Sequence, residues 1–192
     1  AYLGETYHLV RHTSRALALA AARLDEGRRG LRAWLLEQAN EEHGHEQFCL
    51  HDLKALGLEP QRVIDNGPGA GAWGLVTQNY YMASYGNPVG ILGVATATEG
   101  MGAQLAGGLA QMLAERFGLP QQALTFLRSH SSFDRRHLEQ ARQAVNTHVQ
   151  TPEDFADVLR ARRMTFHYYG RLFCDAVESK AQYVDEAAEV GV

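Results

Sequence analysis

The sequence predicts an all-α protein, a bundle of six or seven helices, on three observations. Apolar residues recur at spacings of three and four along nearly the whole chain. Val and Ile are sparse, and no stretch alternates apolar and polar residues as a half-buried strand would. The breaks between periodic stretches fall on Gly, Pro and N-cap residues. The 192 residues suit a single domain spanning 1–192, at roughly 150 residues per domain. Ala1 already falls inside a helical pattern, so a short N-terminal segment is expected to be missing ahead of it.

Element by element, Tyr7 to Leu24 carries Leu9, Ala16, Leu17, Ala20 and Leu24 on one face and stops at Asp25-Glu26-Gly27. A second helix is expected from Arg28 to Leu56, with Gly44 in mid-helix and Gly57 as its C-cap. Val63 to Gly74, which holds Gly67, Pro68, Gly69 and Gly71, reads as a loop. Tyr80, Tyr81, Met82 and Tyr85 form a short helix ended by Gly86-Asn87-Pro88. Val89 to Phe117 is periodic yet rich in glycine. Gly90, Gly93, Gly100 and Gly107 make sense there if another helix or a ligand packs close to the backbone. A further helix begins near Pro120 and carries Leu124, Leu127, His130, Asp134, His137 and Ala141. Thr151-Pro152-Glu153-Asp154 is a strong helix start, with Thr as N-cap, Pro at N1 and an acid at N3. The last long helix runs from there to about Ala188.

Composition narrows the function classes. Hydrophobic residues are 45% and charged residues 21%, which is globular composition and excludes a disordered chain. A net charge of −4 without a basic patch argues against a nucleic-acid partner. The most apolar run, Pro88 to Ala97, is too short to span a bilayer, so no membrane partner is expected. Cys49 and Cys174 cannot build a disulfide framework, and a cytoplasmic location is the default.

The chemistry-bearing residues are acids and histidines at helical spacing. His130, Asp134 and His137, at offsets of four and three, share one side of a helix whose apolar face continues through Leu127 and Ala141. Buried imidazoles and carboxylates need partners, and iron, manganese or zinc suits this donor mixture. Glu42 and His45 form the Glu-x-x-His arrangement with which carboxylate bundles bind two metals, and Glu41 or Glu37 could replace Glu42. Either stretch alone also fits a solvated helix face. Glu99 shifts the balance, because it lies within the least polar neighbourhood of the chain, where a carboxylate is almost never buried unpaired. Glu42, His45, Glu99, His130, Asp134 and His137 thus make a candidate set of three carboxylates and three imidazoles.

This set resembles the haem-oxygenase-like di-iron oxidase and oxygenase superfamily, whose fold is shared with haem oxygenases and TenA-type thiaminases. Its members place Glu and His on one helix, Glu on the next core helix, and His-x-x-x-Asp-x-x-His on a third. Matched onto this chain, these are Glu42 and His45, Glu99, and His130, Asp134 and His137. The stretch from Asp52 to Gly57 is similar to the turn after the superfamily's first metal helix. The resemblance implies two iron ions, with dioxygen as co-substrate, and an oxidoreductase that oxidises or fragments a small amino-acid-like or fatty-acid-like molecule. Glu99, as the best bridging candidate, and Asp134 are the expected catalytic residues.

A small-molecule substrate is the expected partner, with an electron donor and a homodimer compatible. His12, Tyr81, Phe133, Arg163 and His167 are candidates for lining the substrate site, and the abundance of tyrosines and histidines favours a small polar substrate. The Glu42 and His45 side, beside Gly44 and strongly charged, is expected to hold its metal more weakly than the His130–His137 side. Other readings stay open: a haem oxygenase with His12 as axial ligand, a TenA-like thiaminase-type enzyme using Cys49 or Cys174, or a non-catalytic metal-binding helical protein.

Overall fold

The computed structural model describes residues 1–189, with side chains described outside 132–135 and 179–189. The described residues form ten α-helices and no strand: α1 (Tyr2–Val10), α2 (Thr13–Ala22), α3 (Arg29–Glu41), α4 (Glu46–Ala55), α5 (Pro60–Asn66), α6 (Ala70–Ser84), α7 (Ile91–Met101), α8 (Gly107–Phe117), α9 (Thr125–His148) and α10 (Pro152–Glu189). Among them, no helix is long and apolar enough to cross a membrane.

The all-α reading stands, and the differences lie in where the helices break. The stretch expected to run from 28 to 56 is two helices, parted by a turn at 42–45 in which Gly44 takes φ +89°. That left-handed conformation is open to glycine at little cost and expensive for residues with a Cβ. The first stretch kinks at Arg11 and His12, whose backbones stay right-handed. The expected loop at 63–74 is largely helical: α5 runs to Asn66 and α6 starts at Ala70, leaving only Gly67-Pro68-Gly69 between them. Val89–Phe117 is continuous beyond a 3₁₀ turn at Pro88–Gly90, but Gly102–Ala106 is π-helical, a widened turn one position past Met101.

The expected start of α10 is confirmed in atomic detail. Asp154 N–H donates to Thr151 Oγ1 at 3.0 Å, and Thr151 N–H donates back to Asp154 Oδ2 at 3.2 Å. The same carboxylate accepts from Arg28 at 2.7 Å and from Asn87 at 3.0 Å, which ties α10 to the segments ahead of α3 and α7. Asp52 on α4 plays a similar part for α9, accepting from the backbone N–H of Thr125 at 3.0 Å and of Phe126 at 2.9 Å and from the Thr125 hydroxyl. The segment after Glu42 and His45 is thereby locked to the helix that carries His130 and His137.

The glycines of α7 behave largely as expected. A Cβ on Gly93 would lie 2.1 Å from the Val158 carbonyl oxygen, so α7 and α10 meet backbone to backbone. Gly90 and Gly107 also border side chains closely, whereas Gly100 has only an ordinary contact. Three buried apolar clusters result. One gathers Leu17, Leu31, Leu35, Leu92 and Val158, the second Tyr7, Val10, Cys49, Phe126 and Leu127, the third Leu9, Leu75 and Leu172. Residues from all three line a single cavity of about 160 Å³.

Candidate metal centre

Carboxylates and imidazoles gather beside that cavity, whose wall includes Glu42, Glu99 and His130. The turn between α3 and α4 presents Glu42 and His45, α7 presents Glu99, and α9 presents His130 and His137. Two groups of donor atoms lie within 4.8 Å of one another: Glu42 with His45 and His130, and Glu42 with Glu99 and His137. Glu42 belongs to both. Glu99, the expected bridging residue, belongs to one of them. Because the chain leaves the helix at residue 42, the Glu42 carboxylate is freed from the register of α3, where its predecessor Glu41 stays.

The local geometry accounts for each orientation. His45 Nδ1 lies 3.2 Å from Glu42 Oε2, and its ring meets the His130 ring edge-on with centroids 5.2 Å apart. His130 stacks on Phe126 at 4.0 Å and its Nδ1 donates to the Phe126 carbonyl at 2.8 Å, which leaves Nε2 as the lone-pair nitrogen. His137, only 3% exposed, has Nδ1 3.5 Å from Glu99 Oε2 and Nε2 3.1 Å from Glu41 Oε2. Arg136 reaches Glu41 Oε1 at 3.1 Å from the solvent side.

The electrostatics follow from this proximity. Burial works against the Glu42 carboxylate, but the His45 contact and the charges of neighbouring imidazoles outweigh it and hold its pKa below the usual value. The Glu42 contact raises the pKa of His45 despite burial, and the Glu99 contact does the same for His137. Burial lowers that of His130, the Phe126 carbonyl only partly opposing it. Three oxygen and nitrogen donors packed this closely in each group, with the Glu42 carboxylate kept ionised, make a donor set that fits first-row divalent metals.

Of the residues expected at the centre, five thus come together: Glu42, His45, Glu99, His130 and His137. Asp134 lies on α9 between the two histidines, and its side chain falls outside the described residues, as does that of Phe133. Glu37 is exposed on α3, away from both groups.

Four of the five residues expected to line the substrate site lie outside the wall of this cavity. Tyr81 is 58% exposed, Arg163 and His167 are exposed, and none of them lines the cavity. Their helical spacing on α6 and α10 places them on the outer faces. His12 is also outside the cavity wall, its Nδ1 3.1 Å from the Tyr80 hydroxyl at the α1–α2 kink. The wall that the structure shows is mostly apolar, with Leu17, Trp34, Leu75, Ile91, Val94 and Phe173 among its residues, and Thr13, Gln38, Asn79 and Thr98 among its neutral polar groups. No single segment of sequence signals the wall, since its residues come from eight helices and the turns between them.

An all-helical chain with a carboxylate–imidazole cluster beside an apolar cavity defines a haem-oxygenase-like helical protein with candidate metal-ligand clusters. Residues 1–170 match a family described as iron-containing redox enzymes, and the chain belongs to that family. A domain of unknown function with a haem oxygenase-like fold from Shewanella denitrificans OS217 superposes with a TM-score of 0.88 at 24% identity, covering 95% of this chain and 78% of the other. A TenA homologue from Pseudomonas syringae pv. tomato str. DC3000 superposes with a TM-score of 0.73 at 16% identity, covering 87% and 73% respectively. These likenesses establish the fold. No curated protein matches.

Proposed function

We propose that the protein is a non-haem di-iron oxidase or oxygenase, using dioxygen to oxidise a small organic molecule whose larger part is apolar. The sharing of Glu42 by two three-donor groups beside an apolar cavity carries this reading. Glu42, His45 and His130 would hold one iron, and Glu42, Glu99 and His137 the other, with Asp134 completing the set from its place on α9. A ferrous pair bound there supplies the reducing electrons that dioxygen needs.

The chain's own contribution is placement and exclusion. His130 is fixed by the Phe126 carbonyl and ring, and His45 by Glu42 and the His130 edge. The Glu42 carboxylate, held ionised, would offset part of the positive charge of the ions. Leu17, Ile91, Val94 and Phe173 keep water from the cavity and hold an aliphatic or other apolar portion of the substrate against the donors. Of the two substrate classes implied by the resemblance, the fatty-acid-like one suits these walls better. A reducing cytoplasmic setting fits the two free cysteines, and an electron donor and a homodimer belong to the same reading.

The rival readings find less support. His12 is engaged with Tyr80 away from the cavity, where an axial haem ligand would have to face it. Cys49 is fully buried, and burial pushes its thiol pKa far up, the opposite of an activated nucleophile. Anaerobic ferrous titration followed by an oxygen pulse tests the proposal. Uptake of about two irons per chain, then oxygen consumption with a transient visible absorption, is expected. Iron bound without oxygen consumption would leave a non-catalytic metal protein.

A further inference from the structure

Glu41 and Glu42 are neighbours in sequence, yet the structure gives them different surroundings. Glu42 joins both donor groups and Glu41 joins neither. Glu41 instead reaches α9, its Oε2 3.1 Å from His137 Nε2 and its Oε1 accepting from Arg136 Nη2 at 3.1 Å. On the same imidazole, Nδ1 is turned toward Glu99, at 3.5 Å.

An imidazole binds a metal through one nitrogen, and the hydrogen bond of the other decides which nitrogen that is. An ionised carboxylate only accepts, so the pairing with Glu41 requires the proton on Nε2. Arg136 Nη2 also stands 3.2 Å from Nε2, but a guanidinium only donates. Both groups are satisfied when each donates to one oxygen of Glu41, which lies between them. His130 shows the same device with the nitrogens exchanged: Nδ1 donates to the Phe126 carbonyl, and Nε2 keeps the lone pair.

We propose that Glu41 is a positioning residue for the metal centre, accepting the Nε2–H of His137 and so fixing the tautomer that offers Nδ1 to the ion between Glu42 and Glu99. Arg136 holds the carboxylate in place and balances its charge, so that Glu41 orients a ligand without being one. The inference rests on the metal-centre reading given above.

Calorimetric titration with zinc, and anaerobically with ferrous iron, of the wild type, Glu41→Gln and Glu41→Ala tests it. Both variants are expected to keep the wild-type number of ions. Glu41→Ala should weaken one of them by about 10- to 100-fold, and Glu41→Gln, whose amide oxygen still accepts, should recover most of that loss. Long-range proton–nitrogen correlation in the zinc-loaded wild type should place the His137 proton on Nε2. A proton on Nδ1, or unchanged affinity in Glu41→Ala, would overturn the proposal. So would loss of one ion from Glu41→Gln and Glu41→Ala alike, because that marks a direct ligand. Wild-type protein that takes up neither metal would overturn the metal-centre reading itself, and this inference with it.

Discussion

Replacing Asp154 with Asn isolates the charge that anchors α10 over the cavity. The carboxylate accepts from Arg28, Asn87 and the backbone N–H groups of Gln150 and Thr151. Burial opposes its ionisation, but hydrogen bonds from Asn87, Arg28 and Gln150 and the Arg28 charge prevail, lowering the pKa from 3.8 to about 2. At 1.36 kcal/mol per pKa unit, that shift corresponds to about 2 to 3 kcal/mol of folding stability. Because the folded value is the lower one, this stability is present in full above the unfolded pKa, near pH 4, and is lost as the pH falls through about 2. For a chain of this length each kcal/mol moves Tm by about 2–4 °C, so the variant should melt about 5–10 °C lower near neutral pH. Urea unfolding followed by far-ultraviolet circular dichroism measures the gap directly. It should narrow steadily as the pH is lowered from about 4 toward 2. A gap below about 0.5 kcal/mol near neutral pH, or one that does not change with acidification, would refute the reasoning.

Gly93→Ala drives a Cβ to 2.1 Å from the Val158 carbonyl oxygen, so α7 must part from α10, and a loss of about 2–4 kcal/mol is expected in the same unfolding assay. Gly44→Ala meets no neighbour within 4 Å but must hold φ +89°, which costs about 1–2 kcal/mol. Its anaerobic ferrous titration should also show weaker binding, since Glu42 and His45 flank that residue. Glu42→Ala should weaken both irons, and His130→Ala chiefly one, in parallel calorimetric titrations; loss of only one ion from Glu42→Ala would contradict the shared position.

Much of the fold could be read from local chemistry. Thr151-Pro152-Glu153-Asp154 announces α10 because capping is decided by neighbouring residues, and the expected hydrogen bonds are there. Gly93 signals close approach because so costly a residue in an apolar helix implies a helix or a ligand near its backbone, and the backbone of α10 lies there. The donor set was legible through Glu99: the His45 and His130–His137 stretches alone also fit solvated helix faces, but a carboxylate in so apolar a neighbourhood calls for partners, and the structure brings these residues together. Gly44 misled, since a glycine within a helix and a glycine ending one are the same letter, and tertiary contacts choose between them. That choice put Glu42 rather than Glu99 in both donor groups. The region 63–74 misled in the other direction, with Gly71 and Gly74 packing inside α6 instead of loosening it, Gly71 against the backbone of Leu172 and Gly74 against Tyr168. Tyr81, Arg163 and His167 show that helical spacing fixes which residues share a face but not which way that face points.

The π-helical turn at Gly102–Ala106 divides one rod that lines the cavity on both sides of it. On its N-terminal side, α7 holds Glu99; within it and beyond, Leu105, Ala106 and Leu109 help to wall the cavity. A turn that takes up an extra residue shifts the phase of everything after it by about 100° relative to an unbroken α-helix. Deleting one residue there would restore the regular spiral and rotate a different set of side chains into the cavity, while Glu99, upstream, keeps its position. Chain length in this short stretch therefore works as a dial on the shape of the cavity, and the dial can turn, over evolution or by design, without the donors having to change.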